Sequence, residues 1–168
     1  MQTRLHLGEL QRILKEYEPA CVCLQHVNTP RQSIGNYTLA ASSKTEERAL
    51  GTAIYVHNKI FYDKIVVNSA ELQISAVKLQ LERNNTFTIY NIYNQPNKNY
   101  DLNNLHRLIN LQNPALIVGD FNAHNPIWDE NCTLTDHNGN IIEQFINNNN
   151  LCCLNDSECS TYFSNTHG

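Results

Sequence analysis

The second half of the chain is almost without positive charge. Residues 85–168 hold two Lys/Arg against eight Asp/Glu, whereas residues 1–84 hold ten against eight. With a net charge of −4 over 168 residues, the chain has no basic footprint of the kind that neutralises nucleic-acid phosphates. This counts against tight, sequence-independent DNA binding but does not exclude an enzyme that engages DNA weakly. Long apolar runs are also missing: nothing approaches the roughly 18 residues of a membrane span, so no membrane partner is expected. Residues 1–17 are interrupted by Arg4, His6, Glu9, Arg12, Lys15 and Glu16 and contain no signal-peptide core. The expectation is a nuclear or cytoplasmic protein, not a secreted one. None of the six cysteines forms a Cys-x-x-Cys pair, which counts against a zinc ribbon or finger. Cys21-x-Cys23 and Cys152-Cys153 instead fit reduced thiols facing a core, as in a reducing compartment. No repeat or long linker divides the chain, so one domain over residues 1–168 is expected.

The remaining pattern alternates helices and strands. Leu7, Leu10, Leu14 and Tyr17 stand at helical spacing, which predicts an amphipathic helix over 5–18, stopped by Pro19. The apolar run 20–24 predicts a strand buried on both faces, and residues 28–36 a loop. Short strands are expected near 37–41 and 51–57. Residues 72–81 and 86–93 read as a hairpin about a polar link, with a bulge where the apolar phase shifts between Ala76 and Val77. A helix from 102 to about 112, a buried strand over 115–118, a helix over 141–146 and a short strand over 151–154 follow. The Asn tetrad at 147–150 reads as a polar helix end, and residues 160–164 as one more strand.

The sharpest chemical signal is Gly119-Asp120-Phe121-Asn122, at the end of the apolar strand Ala115-Leu116-Ile117-Val118. Open α/β sheets place ligands at the carboxyl ends of their strands. A carboxylate there can take a proton from an attacking water, and an amide two residues on can donate to a phosphoryl oxygen as charge develops. The plainer alternative is a turn in which Asp120 and Asn122 only satisfy backbone groups. Tyr93 ends the hairpin's second arm, where a phenol can donate to phosphate, although a half-buried strand tyrosine is the commoner fate. His26 follows the 20–24 strand and is either a metal ligand or proton carrier, or an exposed loop histidine. His124 and Trp128 are candidates for lining the site, or for plain packing.

Several runs occur together in order: Pro19-Ala20-Cys21-Val22-Cys23-Leu24-Gln25, Gly51-Thr52-Ala53-Ile54-Tyr55-Val56 and Ile92-Tyr93-Asn94-Gln95-Pro96. Gly119-Asp120-Phe121-Asn122-Ala123-His124-Asn125-Pro126-Ile127-Trp128 is the most specific of the set. In this combination the chain resembles the endonuclease domain of non-LTR (LINE, jockey-type) retrotransposons, of the endonuclease/exonuclease/phosphatase superfamily. The resemblance implies an α/β (α+β) four-layer sandwich, DNase I-like, with two mixed sheets face to face and helices outside. It implies a Mg2+- or Mn2+-dependent nick in double-stranded DNA whose 3′-hydroxyl primes a reverse transcriptase domain of the parent polyprotein. Asp120 would orient or deprotonate the attacking water, and Asn122 and Tyr93 would hold the phosphate. The sequence departs from that pattern in three places. His26 stands where the family has its metal-binding glutamate. The family's first, asparagine-bearing strand and its final Asp and Ser-Asp-His segments have no counterpart within residues 1–168. The expectation is therefore an incomplete sandwich, truncated at both ends and inactive as it stands. Two other readings stay open, a superfamily phosphatase of another substrate class and a non-catalytic remnant retained for binding.

Overall fold

The computed structural model describes residues 7–43, 50–69 and 71–158. The chain falls into two compact units, Met1–Tyr93 with Gln112–Asp120 and Asn94–Leu111 with Phe121–Gly168.

The first unit begins with helix α1 (Leu7–Tyr17). Leu10 and Leu14 are buried, while Tyr17, at the helix end, is 70% exposed and does not join the apolar stripe expected of it. Two four-stranded sheets follow. The first contains β1 (Cys21–Val27), β2 (Ser33–Ile34), β3 (Tyr37–Ser43) and β4 (Gly51–His57) in the order β1-β4-β3-β2, with every described pair antiparallel. The second contains β5 (Tyr62–Ile65), β6 (Gln73–Gln80), β7 (Thr86–Tyr93) and β8 (Ala115–Asp120) in the order β5-β6-β7-β8, antiparallel except for the parallel pair β7–β8.

The period of two along β4 distributes its side chains between two cores. Ile54 and Val56 pack with Ala40, Ala41, Val77, Leu79 and Ile89 between the sheets. Ala53 and Tyr55 point the other way, into the layer under Leu10 and Leu14 of α1. A helix–sheet–sheet stack results, and all seven residues of β4 are buried within it.

Some expectations are corrected. β6 pairs with β7 in unbroken register from Gln73↔Tyr93 to Gln80↔Thr86, so no bulge separates Ala76 from Val77. β6 is central and buried on both faces over most of its length, which leaves the apolar phase free to shift without moving the backbone. The run 20–24 and the strand β8 are only half-buried in most positions, because each lies at an edge among the described strands. β2 and β5 were not foreseen; at two and four residues they are too short to carry a periodic signal. Cys21 and Cys23 pack on the inter-sheet core, and the thiols of Cys21, Cys23, Cys132, Cys152 and Cys153 are free. Cys152, however, is exposed, outside the core position expected of it.

The second unit contains α2 (Leu102–Leu108) and α3 (His137–Asn148). Asp101 caps α2 through the amide of Asn103, and the helix stops at Ile109 in extended backbone, short of residue 112. Asp136 caps α3 by accepting from the Gly139 amide. At the other end Asn150 is left-handed, with φ +50°. The Leu151 amide reaches back to the Ile146 carbonyl at 3.0 Å, and the Asn150 amide to Asn147 at 3.3 Å. This is a Schellman closure with Asn in the usual glycine position. The backbone of Leu151 is thus spent on closing the helix, and residues 151–154 form no strand. The strand expected at 160–164 lies outside the described residues.

Candidate active site

The first unit brings three of the expected residues to one corner. β1, β7 and β8 all present their C-terminal ends there. β1 carries two residues, Gln25 and His26, opposite Thr52 alone, since Leu24 pairs with Ala53 and Val27 with Gly51. This two-against-one bulge puts His26 in left-handed backbone, φ +59°, and turns its side chain outward. Its Nε2 lies 3.2 Å from Oδ2 of Asp120. Its ring centroid is 4.4 Å from that of Tyr93, tilted by 54°.

Tyr93 and Asp120 are the last residues of β7 and β8 and stand directly opposite each other in the parallel register. Gly119 makes this pairing close: it has φ +149°, and a Cβ placed on it would collide with the backbone of Ile92. Asp120 and His26 keep 42% and 37% of their side chains exposed, so solvent reaches both. Tyr93 is buried, at 4%, and lies against the imidazole.

The bulge is held from behind by Asn91, which is fully buried in β7. Its Nδ2 donates to the Leu24 carbonyl at 3.0 Å and to the Ala53 carbonyl at 3.1 Å. Its Oδ1 accepts from Gln25 Nε2 at 2.6 Å. One amide thus ties β7 to β1 at the two residues that immediately precede His26, and to β4 at Ala53. Sequence reasoning missed Asn91 and Gln25. The available signal was an Asn inside the run Ile89-Tyr90-Asn91-Ile92-Tyr93, a residue type depleted in strands unless its amide is satisfied.

The second unit holds the other three candidates in one turn-rich segment. Asn122 is left-handed, φ +44°, and its Nδ2 donates to the Asn94 carbonyl at 2.7 Å. Buried Asn138, at the start of α3, fixes the Asn122 backbone: its Nδ2 donates to the Asn122 carbonyl at 3.1 Å and to Lys98 at 2.8 Å, while its Oδ1 accepts from the Tyr100 amide. His124 is exposed, and its carbonyl accepts from the Asp136 amide at 3.1 Å. Trp128 is half-buried and donates from Nε1 to the Ala123 carbonyl at 3.1 Å. Asn125 is buried, gives a hydrogen bond to Glu143 and receives one from the Ile127 amide. Sequence reading gave Asn138 no role in holding Asn122.

The resemblance read in the sequence implies a divalent metal ion, and the donor set here can be compared with that need. Among the described residues no three His, Cys, Asp or Glu side chains gather where one ion could bind. The corner offers one imidazole nitrogen and one carboxylate. Mg2+ requires hard oxygen ligands in near-octahedral array, and this pair does not fit it.

A family model described as "Endonuclease-reverse transcriptase" matches residues 87–168, the stretch that carries Tyr93, Asp120, Asn122, His124 and Trp128. No curated protein matches the chain. Among solved structures, the crystal structure of ANGEL2, a 2′,3′-cyclic phosphatase, is similar in fold. It has a TM-score of 0.51 and 15% identity, over 73% of this chain and 45% of that one. The chain thus spans less than half the length of that structure, and at this identity the likeness is one of fold alone. Two facing sheets with few helices make this an α+β protein of the DNase I-like class. The fold is thus shared with that structure, and the family match is confined to residues 87–168.

Proposed function

We propose that the chain is a DNA endonuclease domain of a non-LTR retroelement, whose substrate class is the phosphodiester of double-stranded DNA. In the parent polyprotein a reverse transcriptase domain would be its partner. The observation that carries the reading is the convergence of His26, Tyr93 and Asp120 at the ends of three strands, within a chain whose second half matches an endonuclease–reverse transcriptase family. In this reading Asp120 accepts the proton of the attacking water while the oxygen–phosphorus bond forms and the bond to the 3′-oxygen breaks, the departing 3′-oxygen taking a proton from solvent to leave as the hydroxyl. Tyr93, and Asn122 two residues past Asp120 in the chain, hold the phosphate. His124 and Trp128 meet the DNA.

As it stands the domain is a poor Mg2+ nuclease. Oδ2 of Asp120 already faces His26 at 3.2 Å, so the base is engaged by a neighbour, and the imidazole supplies no hard oxygen for Mg2+. The experiment is nicking of supercoiled plasmid in Mg2+, run beside hydrolysis of a 2′,3′-cyclic nucleotide. The expected outcome is little nicking by the native chain, more by His26→Glu, and none when Asp120→Asn is added to that variant. Equal nicking with and without His26→Glu, together with hydrolysis of the cyclic nucleotide, would sink the DNA reading in favour of a phosphatase.

A further inference from the structure

We infer that the groove between the end of β3 and the segment joining β5 to β6 is a phosphate subsite, which takes a second phosphate of the DNA strand held at the corner. The inference rests on the DNA reading and deepens it, from one phosphodiester to a length of polynucleotide.

The groove is open, about 640 Å3 in volume, and belongs wholly to the first unit. Its polar lining is Ser42, Ser43, Lys64, Asn68, Ser69 and Ser75; the rest is aliphatic, and no carboxylate lines it. In a chain with a net charge of −4, that lining favours an anion. Lys64 is exposed and has no ion pair among the described residues. Two of the serines already have their oxygens occupied from within the protein. Ser75, only 3% exposed, accepts from Thr52 Oγ1 at 2.9 Å. Ser69 accepts from the amides of Glu71 and Leu72 at 3.3 and 2.9 Å. Each hydroxyl carries one proton to donate, and both keep it for an acceptor in the groove. A phosphate supplies acceptor oxygens for these donors and a negative charge for the ammonium.

The strand registers put this groove at the same strand ends as the corner. Thr52 of β4 stands opposite Ser43 on one side and opposite the bulge of Gln25 and His26 on the other. On the second sheet Gln73, next to Ile74 and Ser75, pairs with Tyr93. β3 lies two strands from β1, and β6 two strands from β8. At about 4.8 Å per strand the groove is therefore about 10 Å from the corner. One strand of a duplex advances about 3.4 Å per nucleotide, so this is a span of about three steps. A single nucleotide does not cover that distance, and a strand does.

The test compares the native chain with Lys64→Gln, an exposed change on an edge strand, in two arms. In the first the probe is inorganic phosphate, followed in the 1H–15N spectrum. The amides of Ser43, Asn68 and Ser69 are expected to shift in the native chain and to stay still in Lys64→Gln. In the second the probe is a short labelled duplex, whose affinity is measured as salt is raised. Lys64→Gln should weaken binding and flatten the slope of log affinity against log salt by about 0.9, the loss of one phosphate contact. Groove amides that ignore phosphate, or that shift equally in Lys64→Gln, would overturn the subsite. Lys64-dependent phosphate shifts beside an unchanged salt slope would assign the groove to a small phosphate compound and overturn the strand. A duplex that moves His26 and Tyr93 but not the groove would also overturn the inference, and would leave the DNA reading standing. A duplex that moves neither place would overturn both.

Discussion

Asn91→Leu is expected to lower stability by roughly 3 kcal/mol, although the substitution is apolar, similar in size and placed in a fully buried position. The native amide makes three hydrogen bonds: to the carbonyls of Leu24 and Ala53, and from Gln25 Nε2. Leucine satisfies none of them. Each buried polar group left without its partner costs about 1–3 kcal/mol. The lower figure applies here, because a carbonyl has a second lone pair and Gln25 is only half-buried. In a domain of this size the change corresponds to a fall in melting temperature of about 6–12 °C. A urea titration gives the free energy, with the midpoint falling and the slope unchanged. The same variant carries a local signature. With Leu24 and Gln25 released, the bulge loses its anchor, and the cross-relaxation between the His26 and Tyr93 rings should weaken. A variant within about 0.5 kcal/mol of the native chain, the range of a neutral surface change, would show that Asn91 fastens nothing.

Gly119→Ala is expected to be worse, on the order of 4 kcal/mol. Two costs combine there. The backbone at φ +149° is a conformation that side-chain-bearing residues adopt only with about 1–3 kcal/mol of strain. The added methyl also meets the backbone of Ile92 rather than a flexible side chain, and forced overpacking adds about 1–3 kcal/mol. Part of the strain is relieved if β8 backs away from β7. That motion would carry Asp120 out of line with Tyr93, its register partner, and away from His26. Stability and site geometry should therefore fail together, by urea titration and by the chemical shifts of Tyr93 and His26. An alanine variant with native stability would mean that the close approach of the two strands is dispensable.

These two positions also mark what the sequence made legible. The glycine before Asp120 could be read as the end of a strand, because a glycine followed by an acid and an amide breaks an apolar run. Its requirement for contact with Ile92 could not, since nothing local to β8 announces which strand lies beside it. The hairpin of β6 and β7 was plain from two apolar runs about a polar link. The phase shift at Ala76–Val77 misled, because a strand covered on both faces loses the alternation that reports backbone geometry. His26 stood out as a histidine after a strand, but the bulge that aims it depends on Asn91, sixty-five residues further along the chain. The same holds for Asn138, whose hold on the Asn122 carbonyl follows from tertiary folding. Candidate residues were thus visible where chemistry is local to a strand end. Their supports were not, because they are made by segments remote in sequence.

The most direct measurement is a 1H–15N spectrum of residues 1–168, followed during titration with a short DNA duplex at low ionic strength. The ends of β1, β7 and β8 should respond together, with the largest shifts at His26, Tyr93 and Asp120, and the response should fade as salt is raised. The opposite ends of the paired strands, at Thr86 and Ala115, should stay still. Shifts confined to those opposite ends, or a duplex that leaves His26, Tyr93 and Asp120 unmoved, would contradict the claim that this corner faces a phosphodiester.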